Sequence, residues 1–331
     1  MRDKLPHALL LHGAAGIGKT AFAENFARSL LCETPAADGR ACETCASCGW
    51  FAQYSHPDYR RVRPEALDDE ESVEAEDGED SKKSSKAAKT PSKDIRIEQI
   101  RALANVMNIS THRSGKRVVL LYPAEALNGA SANALLKTLE EPPPDTVILL
   151  VSNGLDRLLP TILSRCRKFA LPMPSQSEAL DWLAAEGVAD GEMWLAEQGG
   201  APLAALAQAQ SESDGRAALD TFLAHLAQPG IESALKTAEL LAKSPPVALL
   251  GWLQRWLHDL TALQLSGTIR YYPRYRAALA VLAQRVSRVD LVRAVKQASE
   301  RRAIAEHPLS PKLFIEDMLL DYVALFERNH A

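Results

Sequence analysis

At 331 residues the chain is long enough for two or three domains, and 47% hydrophobic residues supply the cores for them. A formal net charge of -4 excludes a broad basic surface, so any nucleic-acid contact has to use a local patch. There is no apolar run long enough to cross a bilayer and no secretory signal at the N-terminus. Five cysteines, most of them closely spaced, point to thiolate chemistry in the cytosol rather than to disulfides.

An apolar run at 8–11 reads as a strand feeding the stretch Gly13-Ala14-Ala15-Gly16-Ile17-Gly18-Lys19-Thr20. This stretch fits the phosphate-loop pattern of Gly, four residues, then Gly-Lys-Ser/Thr. Ala21, Phe22, Phe26, Ala27, Leu30 and Leu31 follow at helical spacing, so the flanks are those the pattern requires. Backbone N–H groups of such a loop aim at phosphate oxygens, and the helix start adds positive potential. Lys19 is placed to reach the outer phosphates, and the Thr20 hydroxyl to hold a magnesium ion. Gly13, Gly16, Gly18, Lys19 and Thr20 are therefore the candidate nucleotide-binding residues, with ATP and magnesium binding left open.

Cys32 follows the first helix, and Cys42, Cys45 and Cys48 form Cys-x2-Cys-x2-Cys. Four thiolates at about 2.3 Å around one ion make a structural zinc site. An iron–sulfur run opens the same way but continues to a further Cys and Pro, whereas Phe51 and Ala52 follow here. The fifth thiol, Cys166, reads as a small buried residue. Ten acidic residues fall between Glu65 and Asp80, followed by lysines among Ser and Ala. Apolar residues are too sparse there to offset ordering entropy, which predicts a disordered insertion over 64–94.

Ile97, Ile100, Leu103, Ala104 and Met107 mark one helix face, and 118–122 reads as a buried strand stopped by Pro123. Lys116, Arg117 and Arg113 before it are candidates for a basic patch or for an ordinary solvated face. The spacing predicts a helix over 128–141, ended by Pro142-Pro143-Pro144. Glu140 and Glu141 lie at its C-terminal end, where the helix dipole disfavours anions by roughly 0.3–1 kcal/mol, and read as solvated. A strand at 146–151, a short helix carrying Leu158, Leu159, Ile162 and Leu163, and a strand at 168–171 complete this half. Apolar strands alternating with helices predict a parallel sheet covered on both faces.

Beyond Pro172 only helices are predicted. Three short ones form a small unit over 172–208. Longer amphipathic segments follow at 217–228, 231–243, 246–265, 274–286, 288–305 and 311–328, the last capped by Ser310 with Pro311 in its first turn. This bundle shows no evident polar cluster and reads as a packing or assembly domain. The fold class is α/β plus all-α, in three domains: 1–171, 172–208 and 209–331.

Four features occur in order: the phosphate loop, the four-cysteine module, the run Asn133-Ala134-Leu135-Leu136-Lys137-Thr138-Leu139-Glu140-Glu141-Pro142-Pro143, and Ser164-Arg165-Cys166. Together they resemble the bacterial clamp-loader subunits of the AAA+ class, over nearly the whole sheet domain and the lid-plus-collar layout behind it. The resemblance implies a place in DNA polymerase III, in a five-subunit ring that opens a sliding clamp and places it on primed DNA. Its partners would be the ATPase subunits gamma and tau, the delta subunit, the clamp and primer–template DNA, with no membrane. Hydrolysing relatives end their second strand in Asp-Glu, positions held here by Tyr122 and Pro123, which neither bind a cation nor accept a proton. Glu125 is a weak substitute. The lid arginine of active relatives is missing from Gly200-Ala201-Pro202-Leu203. The chain starts about a dozen residues before the loop, where relatives carry a longer leader, so either the adenine pocket is incomplete or the start is misassigned.

These losses imply a non-hydrolysing member. In the family the arginine of Ser-Arg-Cys, Arg165 here, projects into the ATP site of the adjacent subunit as an arginine finger, a role worth roughly 10³–10⁵ in rate. On the residues alone, pairing with a local carboxylate explains Arg165 as well, and Arg157 and Arg167 are rivals for the finger. Two alternatives remain: an ATP-hydrolysing subunit of the gamma/tau kind, from the intact Lys19 and Thr20, and a binding module whose loop is a relic.

Overall fold

Five parallel strands organise the N-terminal half of the computed structural model, which describes residues 5–68, 91–107, 111, 115–211, 213–305 and 310–327. The chain divides into two compact units, Met1–Met173 and Pro174–Ala331. In the first, β1 (Ala8–His12), β2 (Tyr59–Val62), β3 (Arg117–Leu121), β4 (Thr146–Ser152) and β5 (Arg167–Ala170) lie in the order β2-β3-β4-β1-β5.

Successive strand residues face opposite sides of a sheet, so continuous apolar strands need two cores. Leu9 and Leu11 of β1, Val118 and Leu120 of β3, and Leu149 of β4 pack against Ala23, Ala27 and Leu30 of α1 (Lys19–Leu31). On the other face Leu10, Val119, Leu121, Ile148 and Leu150 meet Ile100 and Leu103 of α3 (Ile97–Met107) and Leu135 and Leu139 of α4 (Gly129–Glu140). A short α2 (Ala46–Ala52) carries the last cysteine of the module, and α5 (Pro160–Arg165) precedes β5.

Four sequence expectations change in this unit. Strand β2 was not foreseen: Tyr59 and Val62 are buried around Arg60 and Arg61, a pattern too short and too charged to announce a strand, and pairing with β3 creates it. Among the described residues strand β5 pairs only with β1, and it is exposed at all four positions, so the two-sided cover expected of the sheet stops there. Arg117 is buried, and its guanidinium donates to the Met107 carbonyl at 2.6 Å, which removes it from any surface patch; Arg113 lies outside the described residues. Of the expected disordered insertion 64–94, residues 69–90 lie outside the described residues, but both ends are tied down. Glu65 pairs with Arg96 at 3.0 Å, and the Ala66 N–H donates to the Ser92 carbonyl at 3.1 Å.

The described residues of the second unit form helices and their connections, with no strand among them. Helix Gln176–Ala185 opens on a capping box in which Ser175 and Glu178 satisfy each other's backbone N–H groups. With Gly191–Glu197 and Pro202–Gln210 it encloses a small core of Ala179, Leu183, Leu195 and Ala205. The following helices surround a larger core that includes Phe222, Leu253, Trp256, Leu260, Leu319 and Tyr322. At its centre the Trp256 Nε1–H donates to the Tyr322 hydroxyl at 2.8 Å, which in turn donates to the Leu226 carbonyl at 2.7 Å. Boundaries shift modestly: the helix expected over 231–243 ends at Leu240, and the one over 288–305 breaks after Glu300.

A polar cluster that the sequence did not reveal joins the small helical unit to the bundle. Glu197, 2% exposed, accepts from Arg216 at 2.9 Å and from Arg274 at 3.2 Å, and both arginines also pair with Asp220. Its members are spread over residues 197–274, so no local pattern reveals it. Among the described residues, no helix is long and apolar enough to cross a membrane.

Candidate functional site

The loops that follow β1, β3 and β4 leave the same edge of the parallel sheet, the edge at which open α/β sheets bind ligands. Residues 13–18 form the first of them and α1 begins at Lys19. The backbone fixes two of its glycines. A Cβ at Gly13 would stand 2.5 Å from the Leu171 carbonyl oxygen, an approach backbone atoms cannot relieve cheaply. Gly18 caps α1 at φ 91°, in the left-handed region that a side chain disfavours. Lys19 is buried, and its Nζ folds back to donate to the Ala14 carbonyl of the same loop. Burial lowers its pKa, while the nearby Glu125 carboxylate acts in the opposite sense. Thr20 is half-buried on the first turn.

At the end of β3 stand Tyr122 and Pro123, as aligned from sequence. The Tyr122 hydroxyl accepts from Arg63 at 3.4 Å, and burial raises its pKa, so it supplies no anion near neutral pH. Glu125 does more than its weak sequence signal suggested. Its Oε1 accepts the backbone N–H groups of Asn153 and of Gly154, the latter at 3.1 Å, and so ties the loop after β3 to the loop after β4. Its Oε2 is buried and has no hydrogen-bond partner among the described residues. The only sequence signal for this tether is that Glu125 is the single acidic residue between β3 and α4.

Cys32, Cys42, Cys45 and Cys48 converge behind α1. Their four sulfurs lie within 4.8 Å of one another, and those of Cys32 and Cys45 are 3.9 Å apart. A tetrahedral ion with bonds of about 2.3 Å needs sulfurs about 3.8 Å apart, so the set fits one such ion. The sulfurs are also held by donors. Cys42 N–H reaches Cys32 at 3.2 Å, Cys45 N–H reaches Cys42 at 3.3 Å, and the Thr34 hydroxyl reaches Cys42 at 3.2 Å. Hydrogen bonds to the Cys42 sulfur, from the Thr34 hydroxyl foremost and then from Thr44 and the Cys45 N–H, bring its pKa down to about 5, while burial pushes Cys48 up to about 12. The four cysteines could thus hold a metal ion. Cys166 is buried and stands apart from them, as expected.

Arg165 ends α5 at the surface, and Glu140 ends α4 beside it. Glu140 is not simply solvated. Its Oε1 accepts from Arg165 Nε at 2.7 Å and from Nη2. The remaining terminal nitrogen, Nη1, donates to the Thr161 carbonyl at 3.0 Å and to the Ser164 hydroxyl at 3.3 Å. Arg157 and Arg167, the rivals, are both exposed. The site residues thus form three separate groups in one unit: the phosphate loop with Glu125, the four thiols, and the Arg165–Glu140 pair.

Comparison with known proteins follows the same two-part division. A family model described as "DNA polymerase III, delta subunit" matches residues 1–175, and one for "DNA polymerase III, delta subunit, C terminal" matches residues 200–323. The chain is 40% identical over 270 residues to DNA polymerase III subunit delta' of Pseudomonas aeruginosa, covering 80% of this chain and 74% of that protein. To subunit delta' of Escherichia coli it is 32% identical over 257 residues, covering 76% and 69%. To that of Haemophilus influenzae it is 32% identical over 203 residues, covering 60% of this chain and 54% of the relative.

Proposed function

This chain belongs to the family of DNA polymerase III delta-prime subunits, and from that premise we propose that it is a subunit of the replicative clamp loader. In this reading it supports ATP-dependent loading of the sliding clamp onto primed DNA without hydrolysing ATP itself. It sits in the cytoplasm, in a five-membered ring with the gamma/tau and delta subunits. The observation that carries the reading is the end of β3. Where a hydrolysing site needs a carboxylate for magnesium and another for water, the chain offers Tyr122 and Pro123 beside an otherwise intact phosphate loop. Arg165 is the residue it contributes to chemistry, as an arginine finger toward the nucleotide of an adjacent subunit. Its surface position at the end of α5 supports that role.

A second reading, an ATP-hydrolysing subunit of the gamma/tau kind, is favoured by Gly13, Gly16, Gly18, Lys19 and Thr20 together with the Glu125 carboxylate near Lys19. ATP turnover by the purified chain separates the two. No turnover above background is expected, and turnover abolished by Lys19→Ala would overturn the first reading. Equilibrium dialysis with ATP and magnesium asks separately whether the loop still binds nucleotide. In the reconstituted complex Arg165→Ala should lower ATPase with assembly intact; unchanged turnover would remove the finger.

The ion at Cys32, Cys42, Cys45 and Cys48 is proposed to be zinc. Bound there, it would cross-link the chain leaving α1 to the start of α2 and so stand in for a hydrophobic core in a small module. Within the helical half, residues 172–208 are proposed as a lid and residues 209–331 as the collar through which the subunit assembles.

A further inference from the structure

Resting on the finger reading of Arg165, we propose that Glu140 is a positioning residue that docks this arginine on its own subunit until a phosphate displaces it. A guanidinium grips two oxygens along one of two edges, Nε with Nη2 or Nη1 with Nη2. Glu140 Oε1 occupies the first edge, taking both Nε and Nη2. On the second, the Thr161 carbonyl and the Ser164 hydroxyl engage Nη1. Neither edge is free for a two-point contact with a phosphoryl group, so Arg165 as placed here is held back rather than presented. It can grip a phosphate only by leaving Glu140.

The pair is built for exchange. The Arg165 side chain is 34% exposed and that of Glu140 49%, so a competing anion reaches the guanidinium without any rearrangement of the core. Both residues end helices whose inner faces are fixed, with Leu139 of α4 and Ile162 of α5 each 1% exposed, so the two side chains move against a rigid base. The carboxylate sits at the C-terminal end of α4, where the helix dipole disfavours it, and the arginine offsets that cost only while docked. A nucleotide phosphate carries more charge than one carboxylate and offers several oxygens, so it takes the guanidinium over. Exposed ion pairs shift an equilibrium by roughly 1.4- to 5-fold, which retards the finger without disabling it.

The test uses the reconstituted clamp-loader complex and its ATP turnover without clamp or DNA. Glu140→Gln keeps the size of the side chain and removes its charge. Turnover should rise by about 1.4- to 5-fold, with kcat moving more than KM, and Glu140→Gln should be silent in an Arg165→Ala background. The exposed neighbour gives the control: Glu141→Gln should leave turnover unchanged. Unchanged turnover in Glu140→Gln, or a fall, would overturn the docking role, a fall meaning that Glu140 aims the finger instead of restraining it. Unchanged turnover in Arg165→Ala alone would sink the finger reading itself, and is scored on a different protein.

Discussion

Replacing Glu125 with alanine cuts the link between the loops after β3 and β4. The carboxylate accepts two backbone N–H groups, from Asn153 and Gly154, through one oxygen. Hydrogen bonds to charged groups contribute roughly 1.5–3 kcal/mol each. Three features bring the pair down to what a single such bond contributes: Glu125 is half-buried, its two bonds share Oε1, and its Oε2, which has no partner among the described residues, is relieved of burial when the side chain goes. The expected cost is about 2 kcal/mol. With a urea m-value of about 1–3 kcal/mol/M, the midpoint of the first unit should fall by roughly 1 M. Hydrogen exchange of the β4 amides along a urea series reads that unit specifically. Glu125→Gln keeps one acceptor oxygen and should recover part of the loss. If the β4 amides of Glu125→Ala open at the wild-type urea concentration with an unchanged slope, the tether contributes nothing and the reasoning fails.

Other expectations are more direct. Metal analysis of unchelated protein should find zinc at one equivalent per chain and none in Cys45→Ser; metal-free wild-type protein would remove the four-thiolate assignment. Trp256→Phe should destabilise the helical unit by about 2–3 kcal/mol, because it opens space at a site with no exposure and unpairs the Tyr322 hydroxyl on one side; a melting curve superimposable on wild type would contradict this. Burial lowers the pKa of His225 to about 4, so the unfolded chain takes up a proton below about 6.5 while the folded chain does not. Its contribution to stability is therefore present above that range and lost as pH falls from about 6.5 toward 4. Denaturant midpoints across this window should fall less steeply in His225→Leu than in wild type.

Most of the site was written locally. Gly13 to Thr20 occupy consecutive positions, and their spacing already specifies a loop between a strand and a helix. Cys42, Cys45 and Cys48 are likewise set by short intervals, and only Cys32 had to be recruited from ten residues upstream. Central strands were legible because burial on both faces demands unbroken apolar runs, as in 118–121 and 147–151. Strand β2 was not, because its two arginines interrupt the run and its pairing partner lies more than fifty residues away.

What the sequence alone determined follows from rules that act over a few residues: backbone angles open to glycine, the 2.0 and 3.6 residue periods, and side chains that cap helix ends. What the tertiary structure decided is which charges meet. Glu125 reaches the β4 loop across 28 residues, Arg165 finds Glu140 across 25, and Glu197 gathers Arg274 across 77. Such pairings depend on strand order and helix placement, so a carboxylate that reads as solvated in one dimension becomes a tether or a dock once the sheet closes around it.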